Sequence, residues 1–223
     1  MKLRDYLEKK KLSEPLNTAP REYCPRCLFT LKTCYCAKVK TFDPKIKFII
    51  LIHQLEIDRK IATGRLSYLI LEKSELIAGH DYSHDVRVNE LLKDEQYYPV
   101  VLFPGEGSVN LSLLNLDEKK SLFPHDKTLL LFVIDGTWAT ARQTMRMSTN
   151  LSTLPRISFD FNKSSNFRVR KQPKEGLCST VEAIYETIEH LGPACGFNTQ
   201  MRHHENLIEV FNYMVEQQLS FYA

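Results

Sequence analysis

Continuous apolar runs, rather than alternating ones, dominate this chain. Ile46–Ile52 is almost wholly apolar, Pro99–Phe103 is a shorter run of the same kind, and Thr128–Ile134 is the most apolar stretch of all. Such runs are the pattern of strands buried on both faces, as in a parallel sheet covered by helices. Between them the period changes. Glu56–Lys73 repeats its apolar residues at helical spacing, with Ile57, Ile61, Leu66, Leu69 and Ile70 facing inward and Gly64 weakening the middle. Glu75–His80 and Arg156–Phe161 read as further short strands. His84–Lys93, Thr137–Met147, Thr180–Leu191 and His203–Leu219 read as helices. This alternation predicts an α/β fold with a mainly parallel sheet. Residues 1–21 read as a short charged helix and a linker broken by Pro15 and Pro20, and residues 22–40 hold too few apolar side chains for a core of their own. The expected division is therefore an N-terminal extension with a cysteine module over 1–42 and an α/β domain over 43–223.

At 223 residues, 43% hydrophobic and 26% charged, the chain has globular composition, which rules out disordered and fibrous classes. No apolar run reaches the roughly 18 residues of a membrane span. Met1–Lys11 is charged and lacks a signal-peptide stretch, so a cytoplasmic protein is expected. The net charge of +3 conceals a segregation. Residues 1–60 carry 14 basic against 7 acidic side chains, and Arg156–Lys174 carries six basic residues against Asp160 alone. From Glu175 onward there are seven acidic residues against Arg202. Basic surface concentrated in two segments suits a polyanionic partner such as nucleic acid, although chance clustering on a solvated surface gives the same count.

Four of the six cysteines fall within thirteen residues, as Cys24-Pro-Arg-Cys27 and Cys34-Tyr-Cys36. In a reducing compartment such a cluster reads as metal or redox rather than disulfide. A Cys-x-x-Cys knuckle aims two thiolates at one point, and the second pair completes a tetrahedral zinc set. A redox pair, an iron–sulfur cluster or unliganded thiols are the alternatives. Four thiolates leave no open coordination position, so the metal expected is structural. Cys178 and Cys195 stand apart and read as buried apolar residues.

In α/β sheets, ligands bind beyond the carboxyl ends of strands. Two segments have that form: the run ending at Phe103 leads into Pro104-Gly105-Glu106-Gly107-Ser108, and the run ending at Ile134 leads into Asp135-Gly136-Thr137-Trp138. Neither is a dinucleotide fingerprint or a P-loop, and no nucleophile elbow or His-Glu-x-x-His pair occurs. Asp135 reads either as the cap of the following helix or as a carboxylate at the mouth of a site. Trp138, the sole tryptophan, reads as core or as a ligand platform. Arg142 and Arg146 share a helix face at i,i+4 spacing and suit phosphate or plain solvent. His53, Glu56 and Asp58 follow the first strand, where a histidine with acids reads as catalytic or, more simply, as the start of a helix.

Taken together, these pieces resemble the DTW-domain family of tRNA-uridine aminocarboxypropyltransferases. The resemblance spans about residues 24–183. It rests on the four cysteines, His53…Glu56…Arg59…Thr63-Gly64, Leu102-Phe103-Pro104-Gly105-Glu106-Gly107, Asp135-Gly136-Thr137-Trp138 with Ala141-Arg142, and Phe167-Arg168-Val169-Arg170-Lys171-Gln172-Pro173 followed by Cys178-Ser179-Thr180-Val181-Glu182-Ala183. Gln54 and Cys178 depart from the family's usual proline and leucine.

The resemblance implies a SPOUT-like C-terminal trefoil knot around S-adenosylmethionine, added to a small N-terminal zinc-knuckle module. It implies transfer of the aminocarboxypropyl group of S-adenosylmethionine to N3 of a tRNA uridine. Asp135 is then the candidate base or orienting group. Phe103, Pro104, Gly105, Gly107, Thr137, Trp138, Arg168, Ser179 and Thr180 are expected at the cofactor, and Cys24, Cys27, Cys34 and Cys36 at zinc. Arg26, Lys32, Lys38, Lys40, Arg142, Arg146 and Arg170 are expected to meet RNA. A monomer is expected. A SPOUT-type RNA methyltransferase and a non-catalytic zinc-knuckle RNA-binding protein are the competing readings.

Overall fold

Phe48 to Ile52 are buried completely, and the side chains of Phe48 to Leu51 point alternately to two different cores. Phe48 and Ile50 join one apolar cluster, Ile49 and Leu51 the other. That is the signature of a sheet covered on both faces. The computed structural model describes residues 22–54, 56–59, 61–169 and 176–220. The short helix and linker expected within 1–21 lie outside the described residues, as does Arg170.

Among the described residues six strands form one sheet: β1 (Lys47–His53), β2 (Glu75–Gly79), β3 (Tyr97–Leu102), β4 (Ser108–Asn110), β5 (Thr128–Asp135) and β6 (Arg156–Ser158). Their order is β2-β1-β5-β3-β6-β4, and every pairing is parallel. β5 lies between β1 and β3, in register Ile52 to Asp135 on one side and Leu102 to Val133 on the other. The α-helices among the described residues are α1 (Thr63–Ile70), α2 (Val86–Lys93), α3 (Leu116–Lys120), α4 (Trp138–Met147), α5 (Thr149–Ser152), α6 (Thr180–Leu191) and α7 (Glu205–Leu219). Leu66 and Ile70 of α1, Val181, Ile184 and Ile188 of α6 and Leu207, Phe211 and Val215 of α7 cover one face. Val88 and Leu91 of α2, Met145 of α4 and Leu151 of α5 cover the other. Among the described residues no helix is long and apolar enough to cross a membrane.

The helix expected over Glu56–Lys73 begins only at Thr63. Its upstream half is a chain of turns, with Glu56 N–H donating to the His53 carbonyl at 2.7 Å and Arg59 N–H to the Glu56 carbonyl at 3.0 Å. The buried Arg65 guanidinium reaches back to the carbonyls of Ile57 and Arg59 and fixes this segment in place of helix. The strand expected over Arg156–Phe161 stops at Ser158, because Asp160 leaves the ladder for Asn110 and Ser112. Phe159 then stacks on His190. Asn115 caps α3 and Glu118 reciprocates, a capping box that the sequence carries.

The cysteine segment does not stand apart from the core. Cys24, Cys27, Phe29 and Tyr35 belong to the same buried cluster as α6 and α7. Asn206 of α7 joins them by its side chain, accepting from Lys40 N–H at 2.8 Å and donating to the Lys38 carbonyl at 3.1 Å.

Candidate active site and cysteine centre

The carboxyl ends of β3, β5 and β6 open into a cavity of about 530 Å³, closed above by α1 and by the chain entering α6. Its walls are mostly apolar and aromatic. Phe103, Pro104, Trp138, Phe159, Phe161 and Phe167 supply most of the large side chains. Asp135, the last residue of β5, sits in this lining and is 5% exposed.

Two helix starts converge on the Asp135 carboxylate. Thr180, the first residue of α6, donates a short hydrogen bond to Oδ1, and the Thr63 hydroxyl at the head of α1 lies 3.4 Å from the same oxygen. The Gly64 N–H donates to the carboxylate as well. Helix starts present unsatisfied N–H groups and partial positive charge, so a carboxylate is well placed there. Burial nevertheless pushes the Asp135 carboxyl above its ordinary value. The donors from Thr180, Gly64 and Thr63 pull it back, and the charge of Glu56 adds to the rise.

Asp135 does not cap the helix that follows it. Thr137 does so, accepting from Thr140 N–H at 3.1 Å. The capping alternative therefore falls to Thr137, and the Asp135 carboxylate is left facing the cavity. Trp138 is half-buried on the cavity wall, its ring centroid 6.5 Å from that of Phe103, rather than in the core. Ser179 and Glu182 form a capping box at the start of α6, which fixes the turn carrying Thr180.

Of the residues expected at the cofactor, Phe103, Pro104, Thr137, Trp138, Ser179 and Thr180 line the cavity. Gly105, Gly107 and Arg168 do not. Gly105 and Gly107 adopt φ of 148° and 76° in the turn from β3 to β4, a conformation that favours glycine. Arg168 is exposed. Sequence reasoning missed Glu56 and Cys178 as lining residues. Glu56 reads from sequence as a catalytic acid or a helix start, and Cys178 as a buried small apolar residue. Cys178 is half-buried as a residue, and burial of its thiol pushes it up to about 12. Cys195 packs half-buried against the main core, and burial pushes its thiol up to about 11.

At the N-terminal side, the four sulfurs of Cys24, Cys27, Cys34 and Cys36 all lie within 4.8 Å of one another. Cys24 Sγ is 3.7 Å from Cys36 Sγ, and Cys27 Sγ is 3.6 Å from Cys34 Sγ. A tetrahedral zinc with Zn–S bonds of about 2.3 Å requires S···S edges near 3.8 Å, so the residues fit that ion. Leu28 takes φ of 63°, and Cys24 N–H bonds to the Phe29 carbonyl at 2.8 Å, which closes the knuckle. The Cys27 backbone N–H helps to hold the Cys24 thiol down at about 6, against its burial.

Arg26, Lys32, Lys38 and Lys40 are exposed around this knuckle, and the Lys38 ammonium lies 4.6 Å from the centroid of the Tyr213 ring. Arg142 and Arg146 are exposed on α4.

Fold and site thus define a parallel α/β protein with a ligand cavity at the carboxyl edge of its sheet and a cysteine centre docked on its last helix. A family model described as the DTW domain matches residues 21–219, and the chain belongs to that family. Two curated relatives are each named tRNA-uridine aminocarboxypropyltransferase 2. The Drosophila melanogaster protein is 26% identical over 175 residues, covering 75% of this chain and 66% of the relative. The Mus musculus protein is 26% identical over 168 residues, covering 73% of this chain and 54% of the relative. The chain therefore spans only part of the length of both relatives. No solved structure matches it.

Proposed function

We propose that this chain transfers the 3-amino-3-carboxypropyl group of S-adenosylmethionine to N3 of a tRNA uridine, releasing methylthioadenosine. The observation that carries the reading is Asp135, a buried carboxylate fixed by Thr63, Gly64 and Thr180 at the edge of an aromatic cavity. Membership of the DTW family and the printed names of the two relatives supply the reaction class.

S-adenosylmethionine supplies a sulfonium whose aminocarboxypropyl carbon accepts the nucleophile. In the reaction the N3–H bond breaks and its proton passes to an Asp135 oxygen. The N3–carbon bond forms, the carbon–sulfur bond breaks, and its electron pair stays on sulfur as a neutral thioether. Burial raises the proton affinity of Asp135, which brings it closer to that of a useful base. The two threonine hydroxyls hold the carboxylate in one orientation, which lowers the cost of alignment. A volume of about 530 Å³ lies within the roughly 300–1,000 Å³ of small-molecule sites. Phe103 and Trp138 keep that space apolar, while Pro104, Thr137, Ser179 and Thr180 complete its wall. In this reading Gly105 and Gly107 shape the rim, and Arg168 and Arg170 pair with a carboxylate or a phosphate.

The same reading gives zinc to Cys24, Cys27, Cys34 and Cys36 as a structural ion. Arg26, Lys32, Lys38 and Lys40, together with Arg142 and Arg146, hold the tRNA by its phosphates. A SPOUT-type trefoil knot in the C-terminal half and a monomer working in the cytoplasm complete it. The test is incubation of purified protein with tRNA and donor labelled in the aminocarboxypropyl group. Label in a tRNA uridine with release of methylthioadenosine is expected. Methylated RNA with S-adenosylhomocysteine would replace this reading by a methyltransferase, and RNA binding with no donor consumption would leave a binding protein.

A further inference from the structure

We infer that Glu182 is a positioning residue for the transfer: it joins the two ends of the basic segment between Asn166 and Ser179 and, through Ser179 and Thr180, sets the orientation of the Asp135 carboxylate. The inference rests on the role given to Asp135 above. Glu182 lies in the first turn of α6 and is 6% exposed. Among the described residues its carboxylate accepts four hydrogen bonds. Oε1 takes the Asn166 N–H at 2.8 Å, and Oε2 takes the Ser165 hydroxyl, the Ser179 N–H and the Ser179 hydroxyl, each at 2.7 Å.

A capping box accounts for the contacts with Ser179. It does not account for those with Ser165 and Asn166, which come from 17 and 16 residues away in the chain. Four donors offset the cost of burying this carboxylate, and they belong to the two stretches that flank the basic segment. That segment carries Arg168, Arg170, Lys171 and Lys174. Its departing end places Phe167 in the cavity lining, and its returning end places Leu177 and Cys178 there. Ser179 is followed directly by Thr180, whose hydroxyl donates to Asp135 Oδ1. One buried carboxylate thus fixes both of these walls and, one residue further on, the donor that orients Asp135.

The consequence has a sign. Burial raises the proton affinity of Asp135, the Thr180 hydroxyl lowers it, the charge of Glu56 from the turn after β1 raises it, and Gly64 and Thr63 of α1 lower it. Releasing Ser179 lets Thr180 drift from Oδ1. The Asp135 carboxyl should then titrate higher, and its oxygens lose their fixed direction. Removing the Glu182 charge by itself acts the other way, since losing a negative neighbour makes a carboxyl easier to ionise. The direction of the change therefore separates positioning from plain electrostatics.

The test is Glu182→Gln, read in two ways. Single-turnover transfer from S-adenosylmethionine to tRNA, followed against pH, should fall on its plateau by about ten- to a hundredfold, and its acid limb should move to higher pH. Carbon-13 NMR of labelled aspartate carboxyls, with the Asp135 signal assigned from Asp135→Asn, should show the same upward movement with no substrate present. Ser165→Ala removes one of the four donors and leaves the α6 cap in place. It should move both readouts the same way by less, and it decides the matter if Glu182→Gln does not fold. An Asp135 titration that is unchanged or moves down, with only the melting temperature lowered, would overturn the inference and leave Glu182 a purely structural clamp. Wild-type protein that transfers nothing would remove the reaction assigned above, while the NMR titration would still decide whether Glu182 orients Asp135.

Discussion

The backbone of Gly64 rests directly on the carboxylate of Asp135: a Cβ added at Gly64 would stand 2.7 Å from both Cγ and Oδ2. The helical conformation there makes no demand for glycine, so it is the close approach that excludes a side chain. Alanine is the better helix former by about 1 kcal/mol, which works against the clash in the stability balance. Gly64→Ala should therefore remain folded but displace the carboxylate. Misplacement of a reacting group by about an ångström costs on the order of a hundredfold. Single-turnover transfer should fall by about that much while circular dichroism stays unchanged. Undiminished transfer would show that the position of Asp135 is not critical.

Asp135 itself should trade stability for activity. Its carboxyl is pushed above the ordinary value, chiefly by burial, so the folded chain holds this proton more tightly than the unfolded chain. The stabilising contribution is full below the ordinary carboxylate value and is lost as pH rises through the raised folded value. At neutral pH the ionised group therefore works against folding. Asp135→Asn keeps an oxygen for Thr180 and Thr63, and should melt at a higher temperature than wild type at neutral pH. The gain should shrink in acid. Transfer by the same variant should fall by about 10²–10⁴-fold if the carboxylate removes the proton. A variant that melts lower at neutral pH would contradict the sign of this argument.

Much of this architecture was legible because its strands are buried on both faces. Ile46–Ile52 and Thr128–Ile134 carry that burial in their composition, and α6 begins and ends at the residues its period predicts, Thr180 and Leu191. Glu56–Lys73 misled because helical spacing describes only its second half. Its first half is held in turns by Arg65, a long-reach contact that local periodicity does not encode. β4 was missed because three residues carry no period. At the site, Asp135 and Trp138 could be singled out from their place after an apolar run. Glu56 could not be placed in the cavity from spacing alone. Its place in the lining depends on where the turn after β1 brings it relative to β5, which is a tertiary fact.

The cysteine centre and α7 should fail together. Four thiolates at 3.6–3.7 Å in opposed pairs fit one zinc per chain, and elemental analysis of reduced protein should find it. Phe29 and Tyr35 of this segment are buried in the main core, so removing the ion with a chelator should lower the melting temperature of the whole protein. Asn206→Ala removes the buried amide that joins Lys38 and Lys40 to α7. Leaving those backbone groups unpaired costs about 1–3 kcal/mol, which denaturant titration can read. The zinc content of Asn206→Ala should stay at one, since all four ligands are untouched. Loss of zinc in that variant would mean that docking, rather than the thiolates, holds the ion.

The exposed cations should separate RNA affinity from chemistry. Arg26 and Lys38 flank the cysteine centre, away from the cavity lining, so their replacement leaves Asp135 and its donors in place. Phosphate contacts dominate nucleic-acid affinity, and each contact removed lowers the salt slope by roughly 0.7–0.9. Arg26→Ala and Lys38→Ala should each weaken tRNA binding several-fold and flatten the plot of log K against log salt by about that amount. Transfer at saturating tRNA should be unchanged. Arg142→Ala is the informative companion, because Arg142 lies on α4, whose first residue, Trp138, is on the cavity wall. If the RNA track runs from the knuckle to the cavity mouth, Arg142→Ala shares the reduced slope, and combining it with Arg26→Ala lowers the slope by the sum of the two. A double variant no worse than Arg26→Ala would confine the RNA to the cysteine module and leave α4 facing solvent.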